Sequence, residues 1–538
     1  MTQKRDDDAG DNTEELLEVA EEQQLMGRAD TLVAGLWNTA QMVIPLVGTT
    51  IVSIAIGRIL GPTELGEQSW ISYIDGLMAA ILVQTLVRAG IQTMATARGA
   101  NETLTYEAMN RWVMWGQIAG GTIAALVLLV FAAFSEFKLA WLLVSATAAV
   151  NAIGWAYSVR IIAGDGWAPV AKRRLITQIL AQAIAVVAVV VGFGIAGVFA
   201  ANLVAAAILT VMIWRIAEPA SGPMFPKIPR QLVHIWGLYL VTELLVQVVA
   251  RRIEFFFLAA FSTKDQLAMY SIPYMVITSV TMIPHSMVTA VLPSMASQAG
   301  AGKGDVVDRH LSPAIRVIAM MSVPLAAGIA VLGPRLVTTL YGQDFKEAGY
   351  LVSWMALLVL FIPVFDLLNV YWGGYGRLGI PIVAVAIGGV LDVALAFALV
   401  EPYGAFGATI ANVSGQGLAA IVLIVVTRRK LPSLNMAWGK YAAIVLVSLF
   451  AAACGWYIQE QLDGVLGWLL ALVVMLAVLA AYGLTAGFTT DSDAGWLQDS
   501  VPAKLQPALR LYCGRAGRAT ATPDTTPDDG PTNDQPNE

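Results

Sequence analysis

Apolar residues along the chain gather in blocks of about 20, each bounded by Gly, Pro or basic residues. That is the length of helix needed to cross a hydrocarbon core of ~30 Å. Fourteen such blocks can be read, at 31–56, 67–88, 112–134, 139–160, 175–193, 195–214, 232–261, 267–295, 313–333, 349–371, 378–400, 404–427, 438–458 and 464–488. Several contain Gly or Pro, which membrane helices tolerate when their neighbours satisfy the freed backbone groups. The pattern predicts an all-α integral membrane protein of about 14 transmembrane helices.

The basic residues predict the orientation. With the N-terminus in the cytoplasm, 25 of the 32 Lys and Arg fall in or beside cytoplasmic segments, Lys172-Arg173-Arg174 and Arg428-Arg429-Lys430 among them. Five lie outside (Arg58, Lys138, Lys264, Arg335 and Lys346), and Arg251 and Arg252 fall within a span. This positive-inside bias places both termini in the cytoplasm of a multi-pass protein of the cell (plasma or inner) membrane.

Composition agrees: 57 % of the 538 residues are apolar, only 13 % are charged, and mean hydropathy is +0.68. A soluble chain would carry about a quarter charged residues. The net charge of −6 is unevenly spread, because residues 1–24 and 519–538 together carry −12 and leave the body at +6. The acidic tails read as solvated. The N-terminal tail is too acidic for a signal peptide, so the first apolar block is expected to insert as a retained helix. Cys454 and Cys513 make no disulfide framework.

No loop between the spans is long enough for a soluble catalytic domain. No GxxxxGK[ST] loop, HExxH pair, Cys/His cluster or GxSxG elbow in a strand–helix context occurs. The expectation is a transporter rather than an enzyme, with no metal site, no cofactor and no nucleic-acid partner.

The first half lies over the second at a nearly constant offset. At 202, LGEQSWISY (65–73) covers LAMYSIPYM (267–275), and GIQTMATARGA (90–100) covers LPSMASQAGAG (292–302). At 210, GIAGVFAANL (194–203) covers GAFGATIANV (404–413), matching Gly194, Gly197, Ala201 and Asn202 to Gly404, Gly407, Ala411 and Asn412. Six spans per repeat preserve topology, so the halves are parallel repeats related by an axis along the membrane normal. Two six-helix lobes around a central cavity are the arrangement of an alternating-access transporter. The expected divisions are an acidic cytoplasmic tail (1–30), an N-lobe of helices 1–6 (31–216), a cytoplasmic linker (217–231), a C-lobe of helices 7–12 (232–430), two extra helices (431–488) and a cytoplasmic acidic, Pro-rich tail (489–538).

Span seven holds Glu243, Gln247, Arg251 and Glu254 at spacings of 4, 4 and 3, one face of a continuous helix. An ionised group at mid-membrane costs at least ~2.5–3.5 kcal/mol on insertion scales, so such a stripe faces protein or water. Subtracting 202 brings these positions onto Gln41, Pro45, Thr49 and Val52 of span one, where Asn38, Gln41, Pro45 and Thr49 form a polar stripe of their own. The two stripes predict a cavity wall, with Arg251 and Arg252 as anion-binding groups, since guanidinium stays charged and presents a fork suited to phosphate oxygens. An Arg251–Glu254 pair that merely neutralises itself is the plainer reading of the same spacing. Asp75, Asp366 with Asn369, and Asp392 are candidates for coupling to H+ or Na+, an interhelical hydrogen bond being the alternative for each. Gln182 lies under Asp392 at offset 210. Arg88, near a cytoplasmic end, is expected to snorkel.

Several stretches carry a resemblance. GRILGPTELGEQS (57–69) resembles the RxLGPxxxG signature of polysaccharide flippases of the multidrug/oligosaccharidyl-lipid/polysaccharide (MOP) superfamily. FSTKDQLAMYSIPYMV with IPHSMVTAVLPSMAS (261–297), VPLAAGIAVLGPRLVTTLYGQDF (323–345) and EPYGAFGATIANVSGQ (401–416) resemble further elements of that polysaccharide-transporter branch. The resemblance runs over roughly 31–430, and Glu254 stands where the family more usually has Asp. It implies a V-shaped two-lobe flippase that moves a polyprenyl-(pyro)phosphate-linked oligosaccharide to the outer leaflet, working as a monomer beside glycan-assembly enzymes. A peptidoglycan-precursor flippase and a cation-coupled drug antiporter of the same superfamily are the alternatives. A membrane-embedded glycan polymerase would need a large extracytoplasmic loop, and the chain has none.

Overall fold

The computed structural model describes residues 46–488, apart from positions 165, 219–220, 222, 246, 248–252, 301–303, 376, 378, 432–433 and 435–436. All the regular structure among them is helical: α1 (Leu46–Leu60), α2 (Pro62–Gly99), α3 (Thr103–Phe134), α4 (Lys138–Ala163), α5 (Trp167–Val191), α6 (Gly194–Trp214), α7 (Arg230–Leu245), α8 (Glu254–Phe261), α9 (Lys264–Gly300), α10 (Gly304–Tyr341), α11 (Lys346–Met355), α12 (Leu358–Gly374), α13 (Gly379–Lys430), α14 (Trp438–Gln461) and α15 (Gly464–Thr485). Among the described residues nine helices are long and apolar enough to span a membrane, or ten when α11 and α12, bent by 46°, count as one broken span. The chain is a multi-pass helical membrane protein.

Local sequence explains the turns. Gly61 takes φ +88°, and Pro62 then opens α2 at a position where a missing N–H costs nothing. Within the 52-residue α13, Gly404 (φ +55°) breaks the helix, and Gly407 then packs on the Leu399 carbonyl while Gly388 packs on that of Gly415. The two arms therefore run back along each other, as the expected spans 378–400 and 404–427 require. Gly194, the match of Gly404 at offset 210, opens α6 at φ +58°. Two aligned glycines with the same unusual backbone are the physical imprint of the duplication.

Some spans differ from the hydropathy blocks. α2, α3 and α10 extend well past 67–88, 112–134 and 313–333, because polar turns continue a helix beyond the apolar window. Span ten is bent at Ala356–Leu357, where i→i+3 bonds (Val359 N–H to Ala356 O, 3.1 Å) replace the α pattern just ahead of Pro363. Span seven is described as two helices, α7 and α8, and positions 246 and 248–252 between them lie outside the described residues.

The chain forms two compact units. One comprises the described residues up to Met275 with Leu340–Leu351 and Gly389–Asn412. Its packing runs α3 on α4, α4 on α6 and α5 on α6, with α2 against α7. Val87, Met94, Met109, Val113, Val159 and Leu232 make one of its cores. The other comprises Val276–Thr339, Val352–Gly388 and the residues from Val413 on. There Leu311, Ile315, Leu367, Leu368 and Leu423 form a core, and the α14–α15 hairpin docks on α10 through Leu332, Ala451, Ala471 and Met475. Trp468 Nε1 donates to Leu332 O (3.1 Å), and Arg335 donates to Leu462 O (2.8 Å) and pairs with Asp463.

Close helix crossings rest on small residues. A Cβ on Gly66 of α2 would collide with the Lys264 carbonyl of α9, whereas one on Gly76, further along α2, would meet nothing within 4 Å. Gly66→Ala is therefore expected to lower the melting temperature in detergent, at a cost of about 1–3 kcal/mol. Gly76→Ala should be neutral or stabilising by about 0.5–1 kcal/mol. Fluorescence-detected thermal melts of the two variants check the contrast.

Candidate functional site

Buried polar groups converge where α8 begins. Glu254, its first residue, is 0 % exposed, and Asp392 and Asn412 from the two arms of α13 are 4 % and 1 % exposed. Asn412 Nδ2 donates to Glu254 Oε1 at 2.5 Å, the Asp392 carboxyl lies within hydrogen-bonding reach of Glu254, and the fully buried Tyr270 of α9 stands beside them. The Tyr270 hydroxyl is a further donor near Glu254, and neither Glu254 Oε2 nor Asp392 Oδ1 has a well-formed hydrogen bond among the described residues. Two carboxyls facing each other out of water repel unless something positive lies between them. A proton shared by the pair, or a small cation held by both with the Asn412 amide in support, meets that demand.

The first half of span seven, α7 and Gln247, is a separate cluster. Glu243 is buried, pairs with Arg88 of α2 at 3.0 Å and accepts from Gln247 Nε2 at 2.8 Å. Arg88, expected only to snorkel, is the counter-ion of a sequence-predicted residue while keeping about half its side chain exposed. Trp236 Nε1 donates to Thr85 Oγ1 (3.2 Å) and Tyr239 to Gln92 Oε1 (3.0 Å), so α7 is fastened along α2 by three polar contacts.

The other predicted residues are dispersed. Thr49 is exposed on α1 and accepts from Gln182 Nε2 at 3.2 Å, and Gly48 leaves the room in which that Gln182 side chain packs. Asp75 is partly buried on α2, a turn before the π turn Ala79–Gln84. Asp366 (partly buried) and Asn369 (exposed) stand on α12 in the other compact unit. Asn38, Gln41, Arg251 and Arg252 lie outside the described residues. Of the predicted set, the structure brings together Glu254 with Asp392 and Glu243 with Gln247. Sequence reasoning missed Tyr270 and Asn412 as members of the site, although Asn412 carried a signal as an Asn repeated at offset 210.

A second arrangement lies at the end of the helices where α1 meets α2. Thr63 Oγ1 donates to Asp265 Oδ1 (2.6 Å), Ser69 Oγ to Ser271 Oγ (3.1 Å), and Gly66 lies against the backbone of Lys264 and Ala268. Each of the pairs 63/265, 66/268 and 69/271 differs by 202, the offset of the duplication. Equivalent residues of the two repeats thus touch one another, as they can only where a pseudo-twofold axis passes between α2 and α9. Around them Lys264 pairs with the buried Glu67 (3.3 Å), Arg58 Nε donates to Leu340 O (2.7 Å), Tyr341 donates to Ser53 Oγ (3.0 Å), and Gln266 bridges Glu347 (3.0 Å) and the Ala405 N–H (2.7 Å).

Residues 56–349, more than half of the chain, match the family described as polysaccharide biosynthesis protein, and residues 230–478 match the lipid II flippase MurJ family. A search of curated proteins returns no match. Among solved structures, the fold is similar to that of lipid II flippase MurJ in an inward closed conformation, at TM-score 0.66 and 12 % identity over 83 % of this chain and 98 % of that one. It is also similar to an inward-facing multidrug resistance MATE family transporter of the MOP superfamily (TM-score 0.57, 17 % identity, 74 % and 98 % covered) and to a MATE in the bent conformation (0.53, 16 %, 75 % and 97 %). With the family match running over more than half of its length, the chain belongs to the polysaccharide biosynthesis protein family, and its helical membrane fold is similar to those of the lipid II flippase and MATE transporter structures.

Proposed function

We propose that the protein is a flippase that moves a polyprenyl-(pyro)phosphate-linked oligosaccharide from the cytoplasmic to the outer leaflet, for export of a surface glycan. The observation that carries this reading is the overlap of two family matches on residues 230–349, one described as polysaccharide biosynthesis and one as lipid II flippase. A saccharide carried on a lipid is the substrate class that fits both descriptions. A peptidoglycan lipid precursor is the second reading, favoured by the lipid II flippase match over 230–478.

The chemistry of the substrate assigns roles. A pyrophosphate leaving water needs cations to replace its hydration, and the body carries +6, with Arg251 and Arg252 within a span. The glycan is polar, which suits Asn38, Gln41, Thr49, Gln247 and the Arg88-paired Glu243, while the polyprenyl tail stays in lipid. The Glu254–Asp392 pair supplies the coupling site for H+ or Na+, with Asp75, Asp366 and Asn369 as further candidates. On the sidedness the basic residues predict, both termini are cytoplasmic and the α2–α9 contacts close the outer end. Alternating access then requires those contacts to break, and two internal repeats let a monomer supply both walls.

The assay is translocation in proteoliposomes of a fluorescent polyprenyl-pyrophosphate oligosaccharide, read with an impermeant quencher, beside lipid II and a cationic dye. The oligosaccharide is expected to move and the dye to stay. Movement of lipid II alone selects the second reading, and of the dye alone refutes both. Arg251→Ala should abolish movement at normal abundance, with Arg251→Lys retaining part of it, since an ammonium keeps the charge but loses the fork. Full transport by Arg251→Ala would remove the anion site.

Glu254→Gln and Asp392→Asn should each cut gradient-driven transport at least about tenfold, ~1.4 kcal/mol in the barrier, while exchange without a gradient survives. Unchanged response to imposed H+ and Na+ gradients in both variants would dismiss the pair as the coupling site.

Thr63→Cys with Asp265→Cys, in a chain whose Cys454 and Cys513 are replaced by Ser, should stop transport when oxidised and recover on reduction. Transport that persists in the cross-linked protein would show that this end does not open.

A further inference from the structure

The segment joining the two repeats, RIAEPASGPMFPKIPR (215–230), has prolines at 223, 226 and 229. Proline every third residue favours a polyproline II strand, which makes no internal hydrogen bonds and leaves its carbonyls seeking outside donors. α3 supplies them. Trp112 Nε1 donates to Pro226 O at 3.0 Å, Trp115 Nε1 donates to Met224 O at 3.2 Å, and the Phe225 ring stacks on Trp115 with centroids 5.5 Å apart and planes at 16°. Paired indoles holding a proline-rich strand use the same physics by which aromatic grooves bind such peptides between molecules.

The upstream end is held as well. Arg160 of α4 pairs with Glu107 of α3 at 2.8 Å, both largely buried, and its second arm reaches Glu218 of the linker at 3.4 Å. The Ser221 N–H donates to Glu107 Oε2 at 3.1 Å. The linker is thus held at Glu218 and Ser221 on one side and at Met224, Phe225 and Pro226 on the other.

Only three residues lie between Pro226 and Arg230, where α7 starts, a reach of at most ~14 Å over four residue steps of extended chain. From there α7 is bound along α2 by Trp236, Tyr239 and Glu243. We propose that the linker is a permanently docked strap that makes the first half of span seven part of the first repeat's rigid body, so that transport proceeds without the strap leaving α3. The sequence boundary between the repeats, near 231, is then not the mechanical one.

The test locks the strap in place. Cysteines at Glu107 and Ser221, with Cys454 and Cys513 replaced by Ser, are joined by an oxidant-formed disulfide or by a short bis-methanethiosulfonate cross-linker in the full-length protein. The locked protein is expected to keep at least half of its transport, in contrast to the Thr63/Asp265 lock. Loss of transport that reductant restores would overturn the proposal. Limited trypsin digestion gives a readout that needs no transport, so the strap is judged even where the substrate assignment fails. Cleavage after Lys227 should be equally slow with and without lipid-linked oligosaccharide, and several-fold faster in Trp112→Phe with Trp115→Phe. Acceleration by the lipid in the unaltered chain would mean that the strap undocks during the cycle.

Discussion

A hydrocarbon solvent offers no hydrogen bonds, so every polar group the chain carries into the membrane must find its partner within the protein. The rest of the architecture follows from that demand. Glu243 is buried because Arg88 on α2 answers it, and Glu254 is buried because Asn412 does. At Glu254 Oε2 and Asp392 Oδ1 the demand is met poorly, with the Tyr270 hydroxyl as a nearby donor for two facing carboxyls. A structural polar pair closes on itself, whereas a site built to bind and release a cation has to remain short of donors.

The duplication was legible in the sequence because it constrains backbone as well as side chains. Gly194 and Gly404 align at 210, and both take φ near +55° at the start of a returning helix. Thr63, Gly66 and Ser69 meet Asp265, Ala268 and Ser271 at the common offset of 202. The second agreement is the deeper one. Alignment alone says that two segments are alike, and contact between aligned residues locates the axis that relates them. Small or short polar residues occupy these positions for a steric reason, since helices that cross at a two-fold approach most closely where equivalent residues meet.

What stayed hidden has an equally physical cause. Periodicity identifies the face a residue occupies but not the helix that comes to lie against it, so Glu243 and Glu254, which share a stripe in the sequence, answer to different partners in space: Arg88 of α2 for one, Asp392 and Asn412 of α13 for the other. Arg88 near a helix end looks like a snorkelling residue until α7 arrives beside it. Asn412 looks like a repeat marker until Glu254 is placed opposite. Hydropathy also fails at the bend of span ten, because Ala356 and Leu357 are as apolar as the helices on either side and only the backbone bonding changes there.

The Glu254–Asp392 pair and the α2–α9 contacts are close neighbours in the packing. Glu254 is followed by Phe255, stacked on Tyr73 of α2 at 5.0 Å and set edge-on to Tyr270 at 5.4 Å, and by Phe256, which meets Trp70 at 5.5 Å and Tyr73 at 5.3 Å. Trp70 adjoins Ser69, and Gly66 and Thr63 follow within two turns of the same helix. On the proposed coupling, a shift of α8 bears on α2 through aromatic contacts, and α2 carries one side of the three contacts between residues 202 apart. Close-packed rings transmit a displacement rather than absorb it. The binding event can drive the opening only by as much as its affinity differs between the closed and open arrangements. Two buried facing carboxyls would have such a difference available to a proton or small cation, because any rearrangement that admits water or separates the two groups changes what the positive charge is worth to them.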